Sequence, residues 1–142
     1  MSHDYVVMFC IMLVAGLLST MNVWVDKWAD MRVSINDVYM TLLMTGWMFL
    51  LTGLYYKEKH VGVVGICLVI LNIWCIRTQF LVSSNQYIRG MIPHHSMAVH
   101  MSKQLLQQSV SPPTAVKAQE FAATIIKTQE TEIDDMKHLL PV

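Results

Sequence analysis

The stretch VGVVGICLVILNIWCIRTQFLV, residues 61–82, decides how this chain must be read. Its only charge is Arg77, near the far end, and the run is long enough to cross the hydrocarbon of a bilayer. An arginine so placed snorkels to the headgroups or pairs within a helix bundle. Two more uncharged runs precede it: VYMTLLMTGWMFLLTGLYY, residues 38–56, and YVVMFCIMLVAGLLSTMNVWV, residues 5–25. The segment MSHDY before the first run has no basic residue, so the run reads as a retained membrane helix and not as a signal peptide. Trp24, Trp28, Tyr55, Tyr56 and Trp74 stand near the ends of the runs, where interfacial aromatics gather. Three transmembrane helices are predicted. Lys27 and Arg32 follow the first run and Lys57 and Lys59 the second, so the positive-inside rule does not fix the orientation.

Composition agrees. Of 142 residues, 54% are hydrophobic and 14% charged, which is outside the usual soluble balance. Ten basic residues offset ten acidic ones with no basic stripe, so a nucleic-acid partner finds no support. Cys10, Cys67 and Cys75 all lie in the apolar runs with neither zinc-site spacing nor an even count, and they read as packing residues. Methionine is abundant, at 12 residues, serving either as apolar filler or as a source of soft thioether ligands. Met40, Met44 and Met48 form one stripe on the second run, Met8 and Met12 another on the first; ordinary packing is the simpler reading of both. Asn72, inside the third run, is expected to hydrogen-bond across helices.

After Val82 the pattern changes. Residues 84–110 and 114–139 have helical periodicity, separated by SVSPPT, whose two prolines stop a helix. Ser83, Ser84 and Asn85 are available as caps. The chain therefore divides into a membrane region, 1–82, and a helical hairpin, 83–142. The fold class is all-α. A hairpin of this size has too little core to stand alone and must lean on itself, on the membrane bundle or on a second copy. The expected partners are the bilayer and a homo-oligomer or larger membrane complex.

The first hairpin helix carries MIPHHSMAVHM, residues 91–101, with three histidines and three methionines. On a 100° wheel Met91, His94, His95, Ala98, Met101, Ser102 and Leu105 share a face, Met97 flanks it, and His100 points away. Pro93 belongs to the first turn of the helix or to a kink. On the second helix Phe121, Ile125, Gln129, Glu132, Ile133, Met136 and Leu140 share a face, in which Gln129, Glu132 and Met136 replace the aliphatics expected of plain packing. In an antiparallel hairpin Met91, His94 and His95 then face Glu132 and Met136. Buried Gln and Glu need partners, and a metal-bound histidine donates its other N–H to such a group. Imidazole and thioether without thiolate favour copper, Cu(I) above all, with Ag(I) behaving alike. Zinc recruits Cys or carboxylate more often.

YIRGMIPHHSMAVHMS and IIKTQETEIDDMKHLL together resemble the signature of the DUF305 family, an M-I-x-H-H motif on one helix and Q-x-x-E-I-x-x-M on a later one. The resemblance covers residues 84–140, and the membrane part is similar to a subset with three spans before the hairpin. It implies a ferritin-like helical fold, here half of such a bundle, and copper binding linked to copper tolerance. The motif positions are Met91, His94, His95, Met101, Gln129, Glu132 and Met136. Soluble relatives often have four helices where this chain has one hairpin, so the missing surface must come from the membrane helices or another protomer. The expected protein is a non-catalytic, membrane-anchored copper-binding protein. Two alternatives stand beside it: a metal-free structural or accessory subunit, and a ferritin-like di-metal oxidase, which would need Glu-x-x-His pairs that the chain lacks. No nucleophilic triad or phosphate loop is present. An oxidising compartment suits a Met/His site, so the expected location is a bacterial inner membrane with the hairpin on its periplasmic side.

Overall fold

Asp4 opens the first helix by accepting the amides of Val6 and Val7 at 3.1 and 3.2 Å, satisfying donors that have no partner within the helix. In the computed structural model, which describes residues 4–108 and 113–140, the helices are α1 (Tyr5–Leu18), α2 (Ile35–Tyr55), α3 (Lys59–Thr78), α4 (Ser84–Leu106) and α5 (Pro113–Leu139). Short 3-10 turns lie at Met21–Trp24 and Trp28–Asp30, and every regular element among the described residues is helical. The chain folds as two units, one of residues 1–20 and 34–83, the other of 21–33 and 84–142.

The first unit holds α1, α2 and α3. Three stretches are long and apolar enough to cross a membrane: Tyr5–Trp24, Ile35–Tyr55 and Lys59–Thr78. The first is not a single α-helix. Its α-helical part ends at Leu18, where the Ser19 amide turns back to the Gly16 carbonyl, and the last four residues form the 3-10 turn that belongs to the second unit. Ser34 and Asp37 start α2 with a capping box, the Asp37 carboxylate accepting both the amide and the hydroxyl of Ser34. The third run stops short of Val82 because Gln79 takes a left-handed conformation (φ 51°) and its amide closes on the Cys75 and Ile76 carbonyls. The Tyr39 hydroxyl, donating to the Phe80 carbonyl at 2.7 Å, holds that end beside α2.

Glycine sets the approach of α2 to α3. A Cβ on Gly65 would sit 2.7 Å from Leu50 Cα and 2.8 Å from the Gly46 carbonyl, and one on Gly53 would run into the Gly62 backbone. Such small-residue contact is how apolar helices associate where no hydrophobic force acts between them. Asn72 departs from expectation. Its amide donates to the Leu68 carbonyl of its own helix at 2.8 Å, one turn back, which satisfies it locally at a buried position. Met40 and Met44 point outward. All three cysteines are free thiols.

The second unit pairs α4 with α5 around Ile92, Val99 and Ile133, flanked by Ile88, Ile126, Met136 and Leu140. The pairing is antiparallel: Gln119, early in α5, donates to the Leu105 carbonyl near the end of α4, and Glu132, late in α5, lies beside His95. Helix α4 ends at Leu106, earlier than the expected 110, with Gln107 and Gln108 closing a turn. Pro113 is the first residue of α5, a position where its missing N–H costs nothing. Of the SVSPPT break, residues 109–112 lie outside the described residues. Pro93 stands in the middle of α4 and is buried, so the first-turn alternative does not hold.

Residues 21–33, between the first two apolar runs, fold onto this hairpin as a strap. Ser96 Oγ accepts the Asp26 amide at 2.9 Å and donates to Asp30 Oδ2 at 2.6 Å. Lys103 bridges Asp26 and Glu130 at 2.7 and 2.8 Å, and Lys137 pairs with Asp30. Those hydrogen bonds, to Asp26 first and Glu130 second, raise the Lys103 pKa.

Candidate metal centre

The strap and α5 together decide which arc of α4 is covered. Ile92, Pro93, Ser96, Val99 and Ser102 are buried, Met91, His95 and Met97 half-buried, and His94 and Met101 exposed. The expected ligand face was to turn inward as a whole. Instead α4 directs Ile88, Ile92 and Val99 at α5 and Ser96 and Lys103 at the strap. His95 lies half-buried beside Glu132 of α5, while His94 is exposed. Along α5 and at its end the expected Ile133, Met136 and Leu140 pack in the core, while Phe121, expected on the same face, is exposed.

His95 is the centre of what the hairpin brings together. Its Nδ1 lies 3.1 Å from Glu132 Oε2, with 14% of the imidazole side chain and 48% of the glutamate exposed. The contact is not a hydrogen bond, and neither this buried nitrogen nor the buried Gln129 Oε1 has a hydrogen-bond partner among the described residues. The ring centroid of His94 is 5.8 Å from that of His95, and the planes meet at 56°. Met136 belongs to the adjoining apolar cluster. Burial is the main cause that lowers the His95 pKa below its usual 6.5; His94 adds to the effect and Glu132 opposes it. A neutral imidazole is the form that ligates metal.

Met101 belongs elsewhere. It lines a cavity of about 540 Å³ together with Trp24, His100, Leu105, Phe121 and Ile125. The motif methionines are therefore not equivalent: Met91 and Met97 share the level of the histidines on α4, Met136 approaches from α5, and Met101 lies beyond. Among the described residues no three His, Cys, Asp or Glu side chains converge as a metal group. The structure does bring His95 together with Glu132 and His94, with Met136 in the adjoining apolar cluster.

Sequence reasoning missed the strap. Asp26 and Asp30 were assigned no role, and only their spacing of four, with Ser96, Lys103 and Lys137 available on the hairpin helices, carried any sign of it.

The titration has a consequence for stability. The unfolded chain binds a proton at His95 near pH 6.5 and the folded chain only at lower pH. The stabilising contribution is fully present above 6.5 and is lost as the pH falls towards the folded value. The metal-free protein should therefore melt progressively lower below pH 6.5, and His95→Gln should flatten that slope. Thermal unfolding followed by circular dichroism across pH 5 to 8 checks this; an unchanged slope in the variant would exclude His95 as the cause.

Residues 79–140 match the family model described as domain of unknown function DUF305. An uncharacterized protein of Acanthamoeba polyphaga mimivirus is 40% identical over 133 residues, covering 89% of this chain and 84% of that protein. A match of that length runs through the apolar helices as well as the hairpin. The chain belongs to the DUF305 family, in a form whose domain follows three helices apolar enough to cross a membrane. No solved structure matches.

Proposed function

We propose that the protein is a membrane-anchored binder of Cu(I), and of Ag(I) by the same chemistry, acting in metal homeostasis or tolerance without catalysing a reaction. The observation that carries this reading is His95: a half-buried imidazole whose pKa is lowered by burial, with Nδ1 3.1 Å from Glu132 and its ring beside that of His94. His95 and His94 would supply nitrogen and Met91, Met97 and Met136 sulfur. Gln129 and Glu132 would orient His95 and limit its motion, and Met101 would serve as an outlying soft donor. Monovalent copper is stabilised by two to four such donors, so one hairpin, or one hairpin joined by a second copy, is sufficient.

A soft Met/His site competes poorly with cytosolic thiolates. We therefore place the hairpin on the non-cytosolic face of the membrane, which in a bacterium is the periplasmic side of the inner membrane.

The test is competition of the detergent-purified full chain against a colorimetric Cu(I) chelator, run beside Zn(II) with a zinc indicator. Withdrawal of Cu(I) and not of Zn(II) is the expected result. Failure to withdraw Cu(I) would return the histidines to simple packing and leave a metal-free accessory subunit as the better reading. Glu132→Gln should weaken Cu(I) binding by about 10- to 100-fold, the usual cost of losing a carboxylate behind a ligating histidine. The same competition assay reads it, and an unchanged affinity would remove Glu132 from the site.

A further inference from the structure

We infer that the strap of residues 21–33 is a wall of the metal module, and that its buried Asp30 is a positioning residue that holds the two ligand-bearing helices in register. The inference rests on the soft-metal reading above but draws on different residues.

Asp30 is 2% exposed and Ser96 is fully buried. One Asp30 oxygen accepts the Ser96 hydroxyl at 2.6 Å, and the other meets the Lys137 ammonium. Ser96 follows His95 on α4, and Lys137 follows Met136 on α5. A single carboxylate therefore ties both helices, in each case one residue away from a proposed ligand. The same Ser96 oxygen accepts the Asp26 amide, and the Asp26 carboxylate leads through Lys103 to Glu130, a second tie between strap, α4 and α5. The strap is itself closed by the Arg32 amide on Asn22 Oδ1 at 2.8 Å.

Buried ion pairs are poor stabilisers, because desolvation offsets much of their attraction, and their best attested use is to specify register. Here the register specified is that of His95 against Glu132 and Met136. A slide or rotation of α5 by part of a turn would leave the apolar contacts largely repacked but would take the donors out of reach of a common ion. Without its carboxylate, Asp30 would no longer hold Lys137, and α5 would lose that restraint. Linkage makes the effect reciprocal: if the closed strap favours metal, metal favours the closed strap.

The experiment uses the full chain in detergent with Asp30→Asn, Lys137→Gln, their double variant and Ser96→Ala. Cu(I) affinity is read by chelator competition, and amide hydrogen exchange over residues 21–33 is compared with and without Ag(I). Both charge variants should bind Cu(I) about tenfold more weakly, within the range for residues behind a ligand, and the double variant should be no worse than either single one. Ag(I) should slow exchange in the wild-type strap and not in Asp30→Asn. Wild-type affinity in Asp30→Asn, with strap exchange indifferent to metal, overturns the inference. Should Asp30→Asn lose its helical signal, Ser96→Ala carries the test, since it keeps both charges: weaker binding supports the inference and wild-type binding overturns it. Should the wild type itself bind no Cu(I), the functional reading fails separately. The positioning claim is then read from the ¹⁵N signals of the His95 imidazole, which must still differ between wild type and Asp30→Asn, and identical signals would overturn it.

Discussion

Replacing His95 with alanine is expected to lower Cu(I) affinity by roughly 100-fold or more, beyond the range for residues that only support a ligand. His95 is the one histidine of the motif that is held in place, half-buried at the α4–α5 contact with Glu132 3.1 Å from Nδ1. Its reduced proton affinity removes the competitor a metal would otherwise displace near neutral pH. His94 is exposed and carries no such restraint, so His94→Ala should cost less than His95→Ala. His100→Ala, a change in the separate cavity with Trp24 and Phe121, should cost nothing measurable. Chelator competition on the three variants gives the ranking. A loss at His94 as large as that at His95, or none at His95, would show that the ion is held on the exposed side of α4 and not at the helix contact.

The second large effect lies in the membrane unit. Gly65→Ala should destabilise the α2–α3 pair by about 3 kcal/mol or more, the upper range for overpacking, because the new methyl meets backbone atoms of Leu50 and Gly46 and not flexible side-chain ends. Gly53→Ala meets the Gly62 backbone and should behave alike. The converse change, Gly62→Ala, meets nothing closer than 4.0 Å, at Gly53 Cα. It should be neutral or mildly stabilising, as glycine-to-alanine changes are at compatible helical sites. Unfolding of the three variants in mixed micelles measures the contrast. Similar behaviour of Gly62→Ala and Gly65→Ala would mean that α2 and α3 do not approach through these glycines.

Much of the fold was legible because two strong patterns carry it. Apolar runs of bilayer length marked α2 and α3 to within four residues at each end, and the 3.6-residue period with a double proline marked the hairpin. Antiparallel pairing then brought residue numbers near 95 opposite those near 132, which is why His95 and Glu132 do meet. A helical wheel gives angles between side chains but not the arc that will be covered. That arc was set by the strap, which claims Ser96 and Lys103, and by the aliphatic line Ile88, Ile92 and Val99, which claims α5. His94 therefore turned outward, and Met101 joined another cavity. The strap stayed hidden for an electrostatic reason. An aspartate in a short inter-helix segment reads as solvated unless its partners are known, and those of Asp30, Ser96 and Lys137, lie 66 and 107 positions along the chain. The first apolar run misled in a smaller way, since hydropathy ignores the point at which an α-helix gives way to a 3-10 turn.

The most direct measurement is copper K-edge X-ray absorption of the Cu(I)-loaded full chain and of its His95→Ala variant. A shell of imidazole nitrogen and thioether sulfur, with the imidazole contribution reduced in the variant, is the expected result. A shell without sulfur, or one that His95→Ala leaves unchanged, would contradict a Met/His centre at the α4–α5 contact.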